Sequence, residues 1–136
     1  MVFFVVVSIL LLIYLKDYFS GIQNAKNLKG PGRIQSVLVD FGQKDSLHPK
    51  VRDVAQILDS AKLSEMNRLL KLSKEYDPKT ERAWFLWTID IIKNENKFEL
   101  YAADTYEDGW LFIIGTTYYK NDSLFAFLTS ERRNKF

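Results

Sequence analysis

The run Val2-Phe3-Phe4-Val5-Val6-Val7-Ser8-Ile9-Leu10-Leu11-Leu12-Ile13-Tyr14-Leu15 decides how the rest of this chain is read. Ser8 is its only small polar residue. As a helix, a run of this length spans roughly 21 Å. A bilayer core takes roughly 20 residues, and the flanks supply the difference. Lys16 can lay its methylenes along the apolar layer and lift its ammonium to the surface. Tyr18 and Phe19 suit an interfacial aromatic belt. Asp17 is tolerable only at headgroup level.

Three structures are open to such a run. A cleaved signal peptide wants a charged leading region and small residues at the cleavage site. No Lys or Arg precedes the run, and the bulky Phe19 sits badly beside Ser20-Gly21. A buried core helix that is apolar all round needs a large protein about it. The reading adopted is a single-pass anchor, with Val2, Phe3, Phe4, Leu10, Leu11, Leu12, Tyr14, Lys16 and Tyr18 contacting lipid.

Charge sets the expected orientation. Of nineteen basic and seventeen acidic residues, four and one lie in residues 16–33, which therefore carry +3. The other fifteen and sixteen leave −1. A positive flank after the anchor favours a cytoplasmic domain. An upstream start with a basic leading region, or a signal sequence, would reverse this. Basic residues beside an anchor also suit anionic headgroups. Nucleic-acid binding needs a basic face on the domain, and the near-neutral remainder argues against that partner.

Working outward, the chain divides into an anchor (1–19), a basic Gly/Pro-containing linker (20–33) and one α+β domain (34–136). Gly30-Pro31-Gly32 cannot continue a helix, although the helix can run through Ala25 or Leu28 first. Residues 34–41 alternate as a strand. Residues 47–76 place apolar side chains at spacings of three and four, which predicts one helix, or two with Asp59-Ser60 capping the second. The competing reading makes 51–58 a strand. From Trp84 the period becomes two, and strands are expected over 84–92, 98–106, 110–119 and 124–129. Short turns at Asn94-Glu95-Asn96, Glu107-Asp108-Gly109 and Asn121-Asp122-Ser123 make them an antiparallel meander packed on the helix. The tail 131–136 is polar. This order resembles cystatin-like and NTF2-like α+β domains, a likeness of architecture that carries no function.

Sites are sparse. There is no cysteine, which removes disulfides, thiolate catalysis and cysteine metal sites. His48, the one histidine, stands before Pro49 in an expected loop and cannot alone build a triad or a multi-histidine centre. Asp104, Glu107 and Asp108 share a hairpin without the spacing of a calcium loop. Asn121-Asp122-Ser123 fits a glycosylation sequon. Gly115 inside a strand marks a bulge or a close helix approach. No catalytic constellation, cofactor or metal is expected. If Phe85, Trp87 and Ile89 face the helix, Trp84 and Leu86 face outward. Tyr101 and Tyr119, or Tyr118, then join them as candidate partner-binding residues.

The expected function is a non-enzymatic, membrane-tethered protein-binding or assembly module. One alternative is a small exported inhibitor or immunity-type protein anchored at the membrane. Another is an NTF2-like ligand-pocket protein. A pilin-like subunit would need the helix to run unbroken from residue 2 into the domain, and Gly30-Pro31-Gly32 argues against that.

Overall fold

A computed structural model describes residues 2–43, 52–79, 83–105 and 107–134. It contains helix α1 (Val2–Lys29), strands β1 (Ile34–Gln43) and β2 (Arg52–Ile57), and helix α2 (Ser60–Lys71). These are followed by β3 (Lys74–Glu75), β4 (Ala83–Lys93), β5 (Asn96–Thr105), β6 (Gly109–Ile114), β7 (Thr117–Lys120) and α3 (Asp122–Asn134). The class is α+β. The strands form one antiparallel sheet in the order β2-β1-β4-β5-β6-β7-β3, with all three helices contributing to one core.

The apolar run does not stop at its charged flank. α1 is one continuous helix of 28 residues, about 42 Å long. Residues 2–20 are exposed throughout, whereas Gly21, Ala25 and Leu28 are buried. Those three positions recur at four and three residues, so they form a single stripe on one helix face. The expected linker over 20–33 is therefore helical through Lys29. The break falls where Gly30-Pro31-Gly32 places it, after the helix has docked.

The expected helix over 47–76 is corrected to a strand and a shorter helix. β2 points Asp53, Ala55 and Ile57 inward. An acid in the inward set hid the period of two. Asp53 is tolerated there because Arg132 of α3 donates to its carboxylate at 2.7 Å. α2 begins where Asp59 caps it, accepting from the Lys62 amide at 3.0 Å. It buries Leu63, Met66, Leu69 and Leu70 against the sheet. His48 and Pro49 lie outside the described residues.

The meander is β4-β5-β6-β7, differently composed from the expected one. Residues 110–119 are two strands, split at Gly115-Thr116, and Gly115 has a φ of +63°. Residues 124–129, expected as a strand, belong to α3. Asn121 makes the difference. Its side-chain oxygen accepts from the Leu124 amide at 2.9 Å, and its carbonyl accepts from Phe125 at 3.1 Å. That caps a helix, and Leu124 and Leu128, four apart, are fully buried. The Asn121 side-chain amide donates to Leu69 O and to Ser73 Oγ, each at 2.7 Å. The sequon asparagine is thus buried and spent on joining α2 to α3.

The core is continuous. Trp87 sits at its aromatic end, edge-on to Phe41 at 4.7 Å and packed on Trp110 and Phe125 at 4.4 and 5.5 Å. Leu69, Trp87 and Phe112 are all buried within it. At the other end it is completed by Ala25 and Leu28 of α1.

This makes the docked part of α1 a structural element and the exposed part an appendage. A chain starting at Ser20 is expected to melt cooperatively. A chain starting at Arg33 loses buried Leu28 and uncovers the core beneath it, a cost of at least roughly 2 kcal/mol. Comparing urea midpoints of the two truncations checks this; equal midpoints would show that residues 20–32 add nothing.

Candidate membrane and partner interfaces

Three groups of residues hold α1 to the domain. The first is backbone against backbone. A Cβ on Gly115 would stand 2.5 Å from the Gly21 Cα, so the helix and the β6–β7 turn meet where neither carries a side chain. The second is an ammonium. Lys93, at the end of β4, is fully buried and has no carboxylate partner among the described residues. Its Nζ donates to Leu28 O and Gly30 O, each at 2.7 Å, and to the Asn67 side-chain oxygen at 2.9 Å. A cation there meets the negative end of the α1 dipole and its unpaired carbonyls. The third is Lys29, which donates to Ser73 O at 2.8 Å and stands 4.8 Å over the Tyr119 ring.

Burial pulls the Lys93 pKa below its ordinary value, and repulsion from Lys71 adds to this. Three acceptors match the three protons of an ammonium. The tyrosines move the other way. Tyr76 is raised chiefly by donating to Asp108, and Tyr101 by donating to Glu99. Tyr119 is raised by burial and then by Glu75.

The residues expected to contact lipid all lie on the exposed length of α1. Val2, Phe3 and Phe4 are at least 75% exposed, and Leu10, Leu11, Leu12 and Tyr14 at least 56%. Lys16 and Tyr18 are exposed as well. Tyr14 and Tyr18 stack at 6.5 Å. The helix is long and apolar enough to cross a membrane, and none of its apolar window is buried in the protein.

The sheet face away from the helices carries the other candidates. Leu86 pairs with Ala103, and Ala103 with Leu111. Thr88, Tyr101, Ile113 and Tyr118 form the neighbouring row. Leu86 is 49% exposed and Tyr101 is half-buried, so these two share the outer face. The Trp84 side chain lies outside the described residues. Tyr119 is corrected: it is buried on the inner face, opposite Phe112 and beneath Lys29. Treating 110–119 as one strand would put Ile113 and Tyr119 on the same side. The two-residue turn shifts the phase, and Tyr118 takes the outward place. Leu38 on β1, 40% exposed, is an outer-face apolar residue that the sequence reading passed over.

Two other features have structural occupants. Asp108 of the acidic hairpin accepts from the Tyr76 hydroxyl at 2.6 Å and from the Lys79 amide at 2.7 Å. A groove of about 790 Å³ opens between Ser60, Ser64 and Asn67 of α2 and the Asn94-Glu95 turn. It is broad and lined mainly by polar side chains, with Ile34 and Leu63 at the edge of the core beneath it. Among the described residues no group of three His, Asp or Glu side chains is placed to hold a metal ion.

Comparison with known protein families, curated proteins and solved structures finds no match to this chain.

Gly115→Ala is expected to destabilise the protein by roughly 3 kcal/mol, combining a left-handed backbone with a clash against α1. Gly109→Ala has the backbone cost alone, since nothing lies within 4 Å of a Cβ there and its φ is +71°. Thermal denaturation of both variants checks the order, and equal losses would remove the close-approach explanation.

Lys93→Met should cost roughly 2–3 kcal/mol through its stranded acceptors. Its pH dependence has a definite sign. Between the lowered folded pKa and the ordinary 10.5, the unfolded chain binds the Lys93 proton more tightly. This group's contribution to stability therefore rises with pH in that window. The raised tyrosines act oppositely: their contribution is complete below pH 10 and is lost as pH rises through their folded values. Subtracting the variant's stability from the wild type's between pH 8 and 10 isolates Lys93. The gap should widen towards pH 10; a narrowing gap would mean that its acceptors outweigh its burial.

Proposed function

We propose that this protein is a non-enzymatic, membrane-tethered binding or assembly module. α1 is its single-pass anchor, and the outer sheet face around Leu86, Tyr101, Ile113 and Tyr118 receives a protein partner. One observation carries the reading: α1 is apolar and exposed on every side over residues 2–15, yet docked in the core from Gly21 onward. Exposed apolar surface of that extent marks a membrane or protein contact. The excess of lysine after the run favours a cytoplasmic domain.

The experiment is affinity capture with full-length chain in mild detergent, comparing wild type with Leu86→Asp. The substitution puts a charge on the proposed face at a side chain that is half exposed. Wild type should retain a partner that the variant loses. Equal retention by both would remove the outer face from the proposal. A reporter active on one side of the membrane, fused after residue 136, separates the alternative of an anchored exported inhibitor. Activity of a cytoplasm-only reporter excludes that alternative, and silence favours it.

A second reading has a specific observation behind it. A pilin-like assembly subunit requires a helix unbroken from residue 2 into the domain, and α1 is unbroken to Lys29. The exposed half would then pack against other copies. The ligand-pocket alternative draws less support, because Leu69, Trp87 and Phe112 close the space between sheet and helices.

A further inference from the structure

The apolar run of α1 is short for a bilayer, and the domain begins directly behind it. Residues 2–15 cover roughly 21 Å as a helix, against a hydrocarbon core about 30 Å thick. On the membrane reading, on which this inference rests, hydrophobic matching draws residues 16–20 towards the bilayer together with whatever the helix carries next. No linker intervenes. Gly21 is already docked, since a Cβ added to it would stand 3.2 Å from the Thr116 amide nitrogen. It follows Leu15 by six residues, about 9 Å along the axis. The headgroup layer of one leaflet is about 5–8 Å thick, from the difference between a whole bilayer and its core. The helix itself therefore brings the β6–β7 turn to the membrane surface.

The surface brought there has the composition of an interface. Tyr18 of α1 adjoins Tyr76 and Pro78 on one side and Thr116 and Tyr118 on the other. Tyrosine favours the boundary where its ring meets an apolar layer and its hydroxyl stays wet. Tyr14 stacks on Tyr18, so the aromatic belt of the anchor continues onto the domain. The polar groups here already have partners within the protein. The Tyr76 hydroxyl donates to Asp108, and the Lys120 ammonium stands 5.3 Å over the Tyr76 ring. What the region presents outward is a surface. Glu75 and Asp77, both exposed, limit its depth, because carboxylates are tolerated among headgroups and are costly in hydrocarbon. We propose that the β6–β7 turn and residues 76–78 rest in the headgroup layer beside Tyr18, which seats the domain on the bilayer.

The chain has no cysteine, so single labels are unambiguous. Full-length chains carrying a nitroxide at Thr116→Cys, Asp77→Cys, Ser64→Cys or Leu11→Cys are reconstituted in phosphatidylcholine vesicles. Collisions of each label with oxygen and with a water-soluble nickel chelate are then compared. All four side chains are exposed in the protein itself, so any protection comes from lipid. Leu11 lies within the apolar run, and Ser64 lies beside Gly32, past the far end of α1. At Thr116 and at Asp77 the oxygen-to-nickel ratio should exceed that at Ser64 roughly threefold and stay below that at Leu11. Ratios equal to that of Ser64 at both positions, with Leu11 protected from nickel, overturn the seat and leave the anchor standing. Ratios equal to that of Leu11 overturn the headgroup depth. A Leu11 label as open to nickel as Ser64 defeats the membrane reading itself.

Discussion

The ammonium of Lys93 lies where α1 and β4 end against the side of α2. It donates to Leu28 O in the last turn of α1 and to Gly30 O just past it, donates to Asn67 of α2, and stands at the end of β4 just before the Asn94-Glu95 turn. Without a cation there, the α1 C-terminus would enter the domain with unpaired carbonyls, and a buried helix end of that kind is costly. The same residues fix where β1 begins, since Asn67 also donates to Gly32 O at 3.0 Å and Asn94 to Pro31 O at 3.1 Å. The path from helix to sheet is thus held by side chains from three elements that meet only in the folded state.

A second junction works alongside it. Ser73 takes the Lys29 ammonium on its carbonyl and the Asn121 amide on its hydroxyl. The end of α1, the end of α2 and the start of α3 are therefore tied at one residue. Both junctions are polar knots at helix termini, outside the periodic apolar stripes. They satisfy the backbone groups that packing alone would strand.

Local patterns were legible wherever a single period held. The apolar run, the break at Gly30-Pro31-Gly32, the Asp59 cap and the alternation of Trp87, Ile89 and Ile91 were all readable from residues alone. What escaped depended on partners distant in sequence. β2 looked unlike a strand because its inward Asp53 is paid for by Arg132, 79 residues away. α3 looked like a strand because the residue that starts it, Asn121, read as turn chemistry. Tyr119 was assigned outward because one two-residue turn inverts the phase of everything after it. The outer-face candidates were half legible for the same reason: Leu86 and Tyr101 sit on long unbroken strands, and the tyrosine beyond the turn does not.

The glycine-on-glycine contact between α1 and the β6–β7 turn has a mechanical side. Two backbones in direct contact, with a buried, fully hydrogen-bonded ammonium closing the other end, leave no hinge between the protruding helix and the sheet. Where α1 spans a bilayer, thickness mismatch is met partly by tilting the helix. A helix joined through a loop would absorb that tilt locally. In that case the sheet would have to turn with the helix, and the angle of its outer face would follow the thickness of the bilayer.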